Sequence, residues 1–199
     1  MIKYFFLIIF IFLSSSQAYQ NSSKKNCPVP FKDLKLLSIK HLGYDGKDKI
    51  GELLVHKDIS SNVEKIFKEL YEIKYPIYQM KLVSNYNNDD WKSIEANNTS
   101  AYNCRVVAGT KKWSNHSYGK AIDINPIENP YISRKGYISH KESLKYRKRV
   151  YKENTLKDRA ILLKDDEAVK IFKKYGWSWG GDWITIKDYQ HFEYKRKGK

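Results

Sequence analysis

Two histidines and two carboxylates are the residues whose types and spacing favour metal chemistry in this chain. Six residues separate His116 from Asp123 within the segment 114–123 (SNHSYGKAID), and Asp188 precedes His191 near the C-terminus. Two imidazoles and one carboxylate can hold zinc and leave a fourth position for water, as catalytic zinc sites do. We therefore expect His116, Asp123 and His191 to bind one zinc ion in a hydrolytic site, with Asp188 as a spare carboxylate for the proton of that water.

The residues around His116 indicate how the site is supported. Gly119 and Ala121 leave room for a close approach of the backbone. Apolar residues flank Asp123 on both sides, and this alternation predicts a buried strand with the carboxylate at its open face.

Two amphipathic helices are predicted. Ser61 and Glu64 have capping-box spacing, and apolar residues then share one face until Tyr75-Pro76, where the helix should end. Asp165-Asp166 and Gly176 are the predicted start and stop of the second helix. Strands are expected at 36–39, 52–56 and 77–83. This order favours an α+β fold with two main helices packed on an antiparallel sheet.

These motifs resemble the zinc-dependent D-alanyl-D-alanine carboxypeptidase family, whose fold is shared with the hedgehog N-terminal domain. The resemblance runs from about Asp33 to Tyr194. Segments 96–105, 114–123, 176–183 (GWSWGGDW) and 188–191 carry it. It implies a hedgehog/DD-peptidase-like fold, a zinc cofactor, and peptidoglycan stem peptides as substrates.

The resemblance also implies roles for single residues. Asp188 matches the general base, although many relatives carry Glu there; Asp is similar to the branch of phage endolysins that cut L-alanyl-D-glutamate links. Glu193 is the alternative base, because on a strand it would share a face with His191. Arg105 matches an arginine near the scissile carbonyl or the substrate carboxylate, and a guanidinium beside the carbonyl would stabilise the developing oxyanion.

Four further residues are expected at or near the site. We expect Ser114 to bind substrate or to brace its loop. Trp177, Trp179 and Trp183 are expected to form a wall beside the site, with Trp183 touching substrate and at least two of the three packing in the core.

The N-terminus is typical of a secretory signal peptide. Lys3 precedes an apolar run over 4–13 and small residues that end at Ala18. The run is shorter than the ~20 residues of a transmembrane helix. We expect cleavage near Ala18 and a periplasmic or secreted protein; an uncleaved anchor is the alternative. The predicted regions are a signal peptide (1–18), a flexible arm (19–30) and a zinc peptidase domain (31–199).

Charge and cysteines bound the partners and the compartment. The formal net charge of +15 would fall by one on removal of Lys3, and it favours anionic partners such as cell-envelope polymers. Nucleic acid is disfavoured, because no nucleic-acid-binding motif accompanies the charge. We expect a monomer. Cys27 and Cys104 are a candidate disulfide, with two buried thiols as the alternative.

The expected function is a zinc-dependent peptidase of the D-alanyl-D-alanine carboxypeptidase type. An L-alanyl-D-glutamate-type endopeptidase is the first alternative. A cell-envelope binding module, in which zinc serves only as a structural staple, is the non-enzymatic alternative.

Overall fold

The computed structural model describes residues 17–24, 26–150 and 155–194. The predicted signal peptide lies largely outside these residues. The main helices are α1 (Ser60–Glu72), α2 (Asp90–Glu95), α3 (Leu156–Arg159) and α4 (Glu167–Lys174). The strands are β1 (Leu34–Leu42), β2 (Asp48–His56), β3 (Gln79–Met80), β4 (Asn98–Thr99), β5 (Ala121–Asp123), β6 (Tyr131–Ile132), β7 (Trp177–Trp179), β8 (Lys187–Asp188) and β9 (His191–Tyr194).

The strands form several small sheets. β1 and β2 are an antiparallel hairpin, β5, β9 and β7 form a three-stranded antiparallel sheet, and β6 pairs antiparallel with β8. β3 and β4 pair in parallel. The α+β class is confirmed, but the described residues contain no single continuous antiparallel sheet. Apart from β1 and β2, the strands have only two to four residues and are too short to build one. Turns interrupt them, as at Asn125 (φ 43°) before Pro126.

Helix α1 buries the predicted face and begins differently from the prediction. Val63, Ile66, Phe67 and Leu70 are buried. The predicted capping box is absent: the helix follows directly on a 3-10 turn, Lys57–Ile59, and Ile59 caps it without a side-chain hydrogen bond. The preceding turn occupies the place that a capping loop would need.

The hydrophobic core joins helices α1 and α4 to the β1–β2 hairpin and to the three-stranded sheet. The β1–β2 hairpin packs on α1, and α4 packs on α1 and β7. Phe172 of α4 stacks on Phe192 of β9 at 3.9 Å between ring centroids, and it meets Phe67 of α1 edge-on at 6.3 Å. The predicted strand at 77–83 shortens to β3. These contacts fix β9 from its buried side.

The described part of the predicted flexible arm contacts the rest of the domain. Residues 17–21 are helical. Within the arm, the Ser22 hydroxyl donates to the Ser84 hydroxyl at 3.1 Å, and the Asn88 side chain donates to the Asn21 carbonyl at 3.2 Å. The Ser84 hydroxyl also donates to the carbonyl of Ala18, the last residue of the predicted signal peptide, at 2.6 Å. Cys27 and Cys104 form a disulfide whose Cα atoms lie 5.9 Å apart. Within the described residues no helix is both long and apolar enough to cross a bilayer.

Candidate zinc site

A short turn positions His116. The residue lies on the 3-10 turn Asn115–Tyr118, and the Ser114 hydroxyl accepts a hydrogen bond from the His116 amide at 3.3 Å. Gly119 ends the turn at φ +63°, a conformation that glycine adopts without steric cost. Its carbonyl accepts from the His56 amide at 2.9 Å, and a Cβ on Gly119 would lie 2.6 Å from that nitrogen. Glycine is thus required for the turn to dock on β2.

The register of two strands brings Asp123 beside His191. These residues are direct partners in the antiparallel pair β5–β9, and directly paired residues lie on the same face of a sheet. Asp123 also exchanges two backbone hydrogen bonds with Ser100, at 2.8 and 3.0 Å. The segment after β4 therefore holds β5 from its other edge.

The three predicted ligands meet in one buried cluster. His116 Nε2 lies 3.2 Å from His191 Nδ1 and 3.2 Å from Asp123 Oδ2, and His191 Nδ1 lies 3.0 Å from Asp123 Oδ1. His116 uses its other nitrogen, Nδ1, in a 2.6 Å contact with the Ala101 carbonyl. The set fits zinc, because ligands at about 2.0–2.1 Å from a tetrahedral ion lie roughly 3.3–3.4 Å apart. Two imidazole nitrogens and a carboxylate oxygen also match its ligand preference.

The charged groups of the cluster shift one another's pKa values. Burial alone would raise the pKa of Asp123, but the adjacent His116 and His191 hold it well below its usual range. Burial alone would lower the pKa of His191, but Asp123 and Glu193 raise it to about 10. In the zinc-free protein Asp123 is therefore paired with a protonated imidazole, and a metal ion must displace that proton to bind.

Asp188 has a carboxylate oxygen that makes no hydrogen bond within the described residues. This oxygen is Oδ1, and it is buried. Burial raises the pKa of Asp188 to about 7; the negative charge of Asp123 adds to this rise, and His191, His116 and Arg105 oppose it. β8 carries Asp188 close to Gly180, where a Cβ would lie 2.4 Å from the Asp188 carbonyl oxygen. Glycine at 180 thus sets how closely the strand approaches.

Arg105 is held on both its side chain and its backbone. Arg105 Nε lies 3.1 Å from Asp90 Oδ1 at the start of α2. Its amide donates to the hydroxyl of Ser117 at 2.9 Å, and its carbonyl accepts from the amide of Ser114 at 3.1 Å. The Nε contact with Asp90 is an ion pair without hydrogen-bond geometry among the described residues, and it holds the guanidinium group beside the start of α2.

The remaining predicted residues have structural partners. Ser114 is buried and braces the turn that carries His116. Trp177 and Trp179 are buried in the core, whereas the ring of Trp183 lies 5.4 Å from that of His191. Trp183 is thus the tryptophan beside the cluster.

Glu193 has its carboxylate engaged by neighbours. Asn115 Nδ2 donates to Oε2, and the Ser178 hydroxyl lies 3.4 Å from Oε1. His191 Nε2 lies 3.7 Å from Oε2. Asn115 was not among the predicted site residues. Its only sequence signal is its position directly before His116, because its partner lies 78 residues away.

Sequence reasoning also missed Asp90 and Ser117, which hold Arg105. Ser117 lies inside the histidine motif and is fully buried, so a polar residue enclosed by motif positions was a usable signal. Asp90 lies in a polar stretch in which nothing distinguishes it from its neighbours.

A buried His-Asp-His cluster with an adjacent carboxylate is an arrangement that metal-dependent hydrolases use. Residues 108–194 match the family model described as D-alanyl-D-alanine carboxypeptidase. The match covers less than half of the chain and confirms the predicted resemblance of this region to the zinc DD-peptidase family. Comparisons with curated proteins and with solved structures gave no significant match.

Proposed function

We propose that this protein is an exported zinc peptidase that hydrolyses the stem peptides of peptidoglycan, as a D-alanyl-D-alanine-type carboxypeptidase. The observation that carries the proposal is the meeting of three ligand atoms of His116, Asp123 and His191 within 4.8 Å of one another. The family match over the same region supports it.

When bound to these residues, zinc would supply a water of lowered pKa and a Lewis acid for the scissile carbonyl. Asp188 accepts the proton of the attacking water and later returns it to the leaving amine. In the zinc-free protein burial raises the pKa of Asp188 toward the working pH, which is the direction that favours a general base. Arg105 donates hydrogen bonds to the developing oxyanion, and Trp183 shields one side of the site.

The second candidate is an L-alanyl-D-glutamate-type endopeptidase. It is favoured by Asp rather than Glu at position 188, the feature that resembles the endolysin branch. Both candidates use the same ligands and base and differ in the bond that is placed before Asp188.

Mass spectrometry of purified muropeptides distinguishes these functions. The protein should release one D-alanine per stem in a reaction that a zinc chelator stops. Cleavage inside the stem would replace the carboxypeptidase with the endopeptidase. If zinc binds but no muropeptide is cut, the binding module is the better description.

Two variants test the division of roles. Asp188→Asn should keep zinc and lose at least about 100-fold in turnover, the usual contribution of a general base. His116→Ala should lose zinc and turnover together. Equal loss of zinc in both variants would contradict the assignment of Asp188 as the base.

A further inference from the structure

Glu193 lies where it can control the orientation of His191. The two residues are separated by one position on β9, so their side chains lie on the same face of the strand. His191 directs Nδ1 to Asp123 at 3.0 Å and leaves Nε2 facing Glu193 Oε2 at 3.7 Å. Nδ1 of His191 therefore faces the proposed metal position, and Nε2 of the same ring faces the carboxylate of Glu193.

A second contact fixes the carboxylate itself. Asn115 Nδ2 donates to Glu193 Oε2, the oxygen that faces the histidine. Asn115 lies on the same turn as His116, so the turn that carries one ligand also clamps the group beside another. Ala121, the direct cross-strand partner of Glu193, adds only a methyl group to this face and leaves room for the clamp.

We propose that Glu193 is a positioning residue for the zinc site and that Asn115 holds it in place. Metal-binding histidines generally donate their second ring N–H to a carboxylate or carbonyl, which fixes the tautomer and the ring orientation. The Ala101 carbonyl serves His116 in this way, and Glu193 serves His191. At 3.7 Å the contact is longer than a hydrogen bond, so the proposal requires that it shorten to one in the zinc-loaded protein.

This role separates Glu193 from Asp188. The carboxylate of Glu193 is engaged by Asn115 and lies near the Ser178 hydroxyl, whereas Asp188 Oδ1 is without a hydrogen-bond partner among the described residues. Glu193 is thus committed to the ring of His191, and the proton of the attacking water goes to Asp188.

The test measures zinc affinity, by competition with a chromophoric chelator, and turnover at saturating zinc. Glu193→Gln and Asn115→Ala should each weaken zinc binding by about 10- to 100-fold, the usual cost of losing such a partner. At saturating zinc both variants should recover more turnover than Asp188→Asn, because the lost group orients a ligand and does not take the proton of the attacking water. Glu128→Gln is the matched control, because Glu128 is a fully buried carboxylate elsewhere that accepts from Asn97; its zinc affinity should be unchanged.

Nitrogen-15 NMR of the histidine rings supplies a readout that a purely structural role would not move. In zinc-loaded wild type, His191 should show a protonated, hydrogen-bonded Nε2, and Glu193→Gln should shift that signal while the His116 signals stay in place. Unchanged zinc affinity with loss of turnover in Glu193→Gln would overturn the proposal and make Glu193 the base.

The inference rests on the zinc site of the proposed function and does not depend on its substrate. If the wild type binds no zinc, the site and the inference fail together. If the wild type binds zinc and Glu193→Gln binds it equally well, the inference fails alone.

Discussion

Replacing Gly180 with alanine should reduce turnover without removing the metal. The new Cβ would lie 2.4 Å from the carbonyl oxygen of Asp188 and 3.0 Å from its Cβ. Ordinary contacts of this kind begin at 3.4 Å, so β8 must move by about 1 Å. A misplacement of about 1 Å near the chemistry can cost roughly 100-fold in rate. We expect a loss of about that size in kcat, because the base is displaced from the attacking water.

The matched control is Gly51→Ala. Its Cβ would meet Met80 Cβ at the same 2.4 Å, but at the contact between β2 and β3. Each substitution overpacks a fitted contact and should cost about 1–3 kcal/mol in the free energy of unfolding. Only Gly180→Ala displaces Asp188.

The assay is kcat on a soluble muropeptide, with zinc content measured on the same samples and folding checked by circular dichroism. Gly180→Ala should retain zinc, because none of the three ligands contacts the new methyl group among the atoms nearest to it. The reasoning is refuted if both variants are folded and zinc-loaded and Gly180→Ala is no slower than Gly51→Ala.

Three further perturbations have calculable outcomes. Reduction of the Cys27–Cys104 disulfide with a phosphine should lower the free energy of unfolding by about 4.5 kcal/mol in the chain-entropy model, for a separation of 77 residues; urea titrations of the oxidised and reduced chain would contradict this with a difference below about 1 kcal/mol. Gly109→Ala should lose only the roughly 1–2 kcal/mol of a left-handed residue, whereas Gly119→Ala should lose more, because only its Cβ meets backbone atoms; equal midpoints in thermal unfolding would refute the close approach. Burial raises the pKa of Asp188 from 3.8 to about 7, so the folded zinc-free protein holds a proton that the unfolded chain releases. Its stability should therefore fall as the pH rises from about 4 to 7, and Asp188→Asn should flatten that fall in denaturant titrations at several pH values.

Local patterns were sufficient for the buried faces of α1 and α4, whereas no helix was predicted for the polar stretch that contains α2. The apolar spacing after Ser61 predicted the buried face of α1, and Gly176 at φ +85° follows the end of α4 as predicted. The start of α1 was less predictable, because it depends on the 3-10 turn Lys57–Ile59, which has no strong sequence signal. Short strands were the weakest predictions: β3 keeps only two residues of the range 77–83, since tertiary pairing rather than propensity sets its ends.

For the site too, local motifs were predictable and long-range contacts were not. His116 and Asp123 lie in one dense motif, and the structure brings them to His191 as that motif predicted. The contacts that orient these side chains were not predictable, because each joins distant segments through ordinary polar residues. The contact of Asn115 with Glu193 is the clearest case: Glu193 was predicted only as an alternative base, Asn115 was not predicted, and their pairing depends on the fold.

The positions of the two cysteines set an order of assembly. A chain that emerges N-terminus first presents Cys104 before His116, the earliest of the three proposed ligands. Free thiolates are strong zinc ligands and would compete with imidazole and carboxylate for the ion. In an oxidising compartment, disulfide formation before the export of His191 would remove both thiols from competition for zinc. Formation of the Cys27–Cys104 disulfide would thus prevent these thiolates from binding the zinc ion intended for the site.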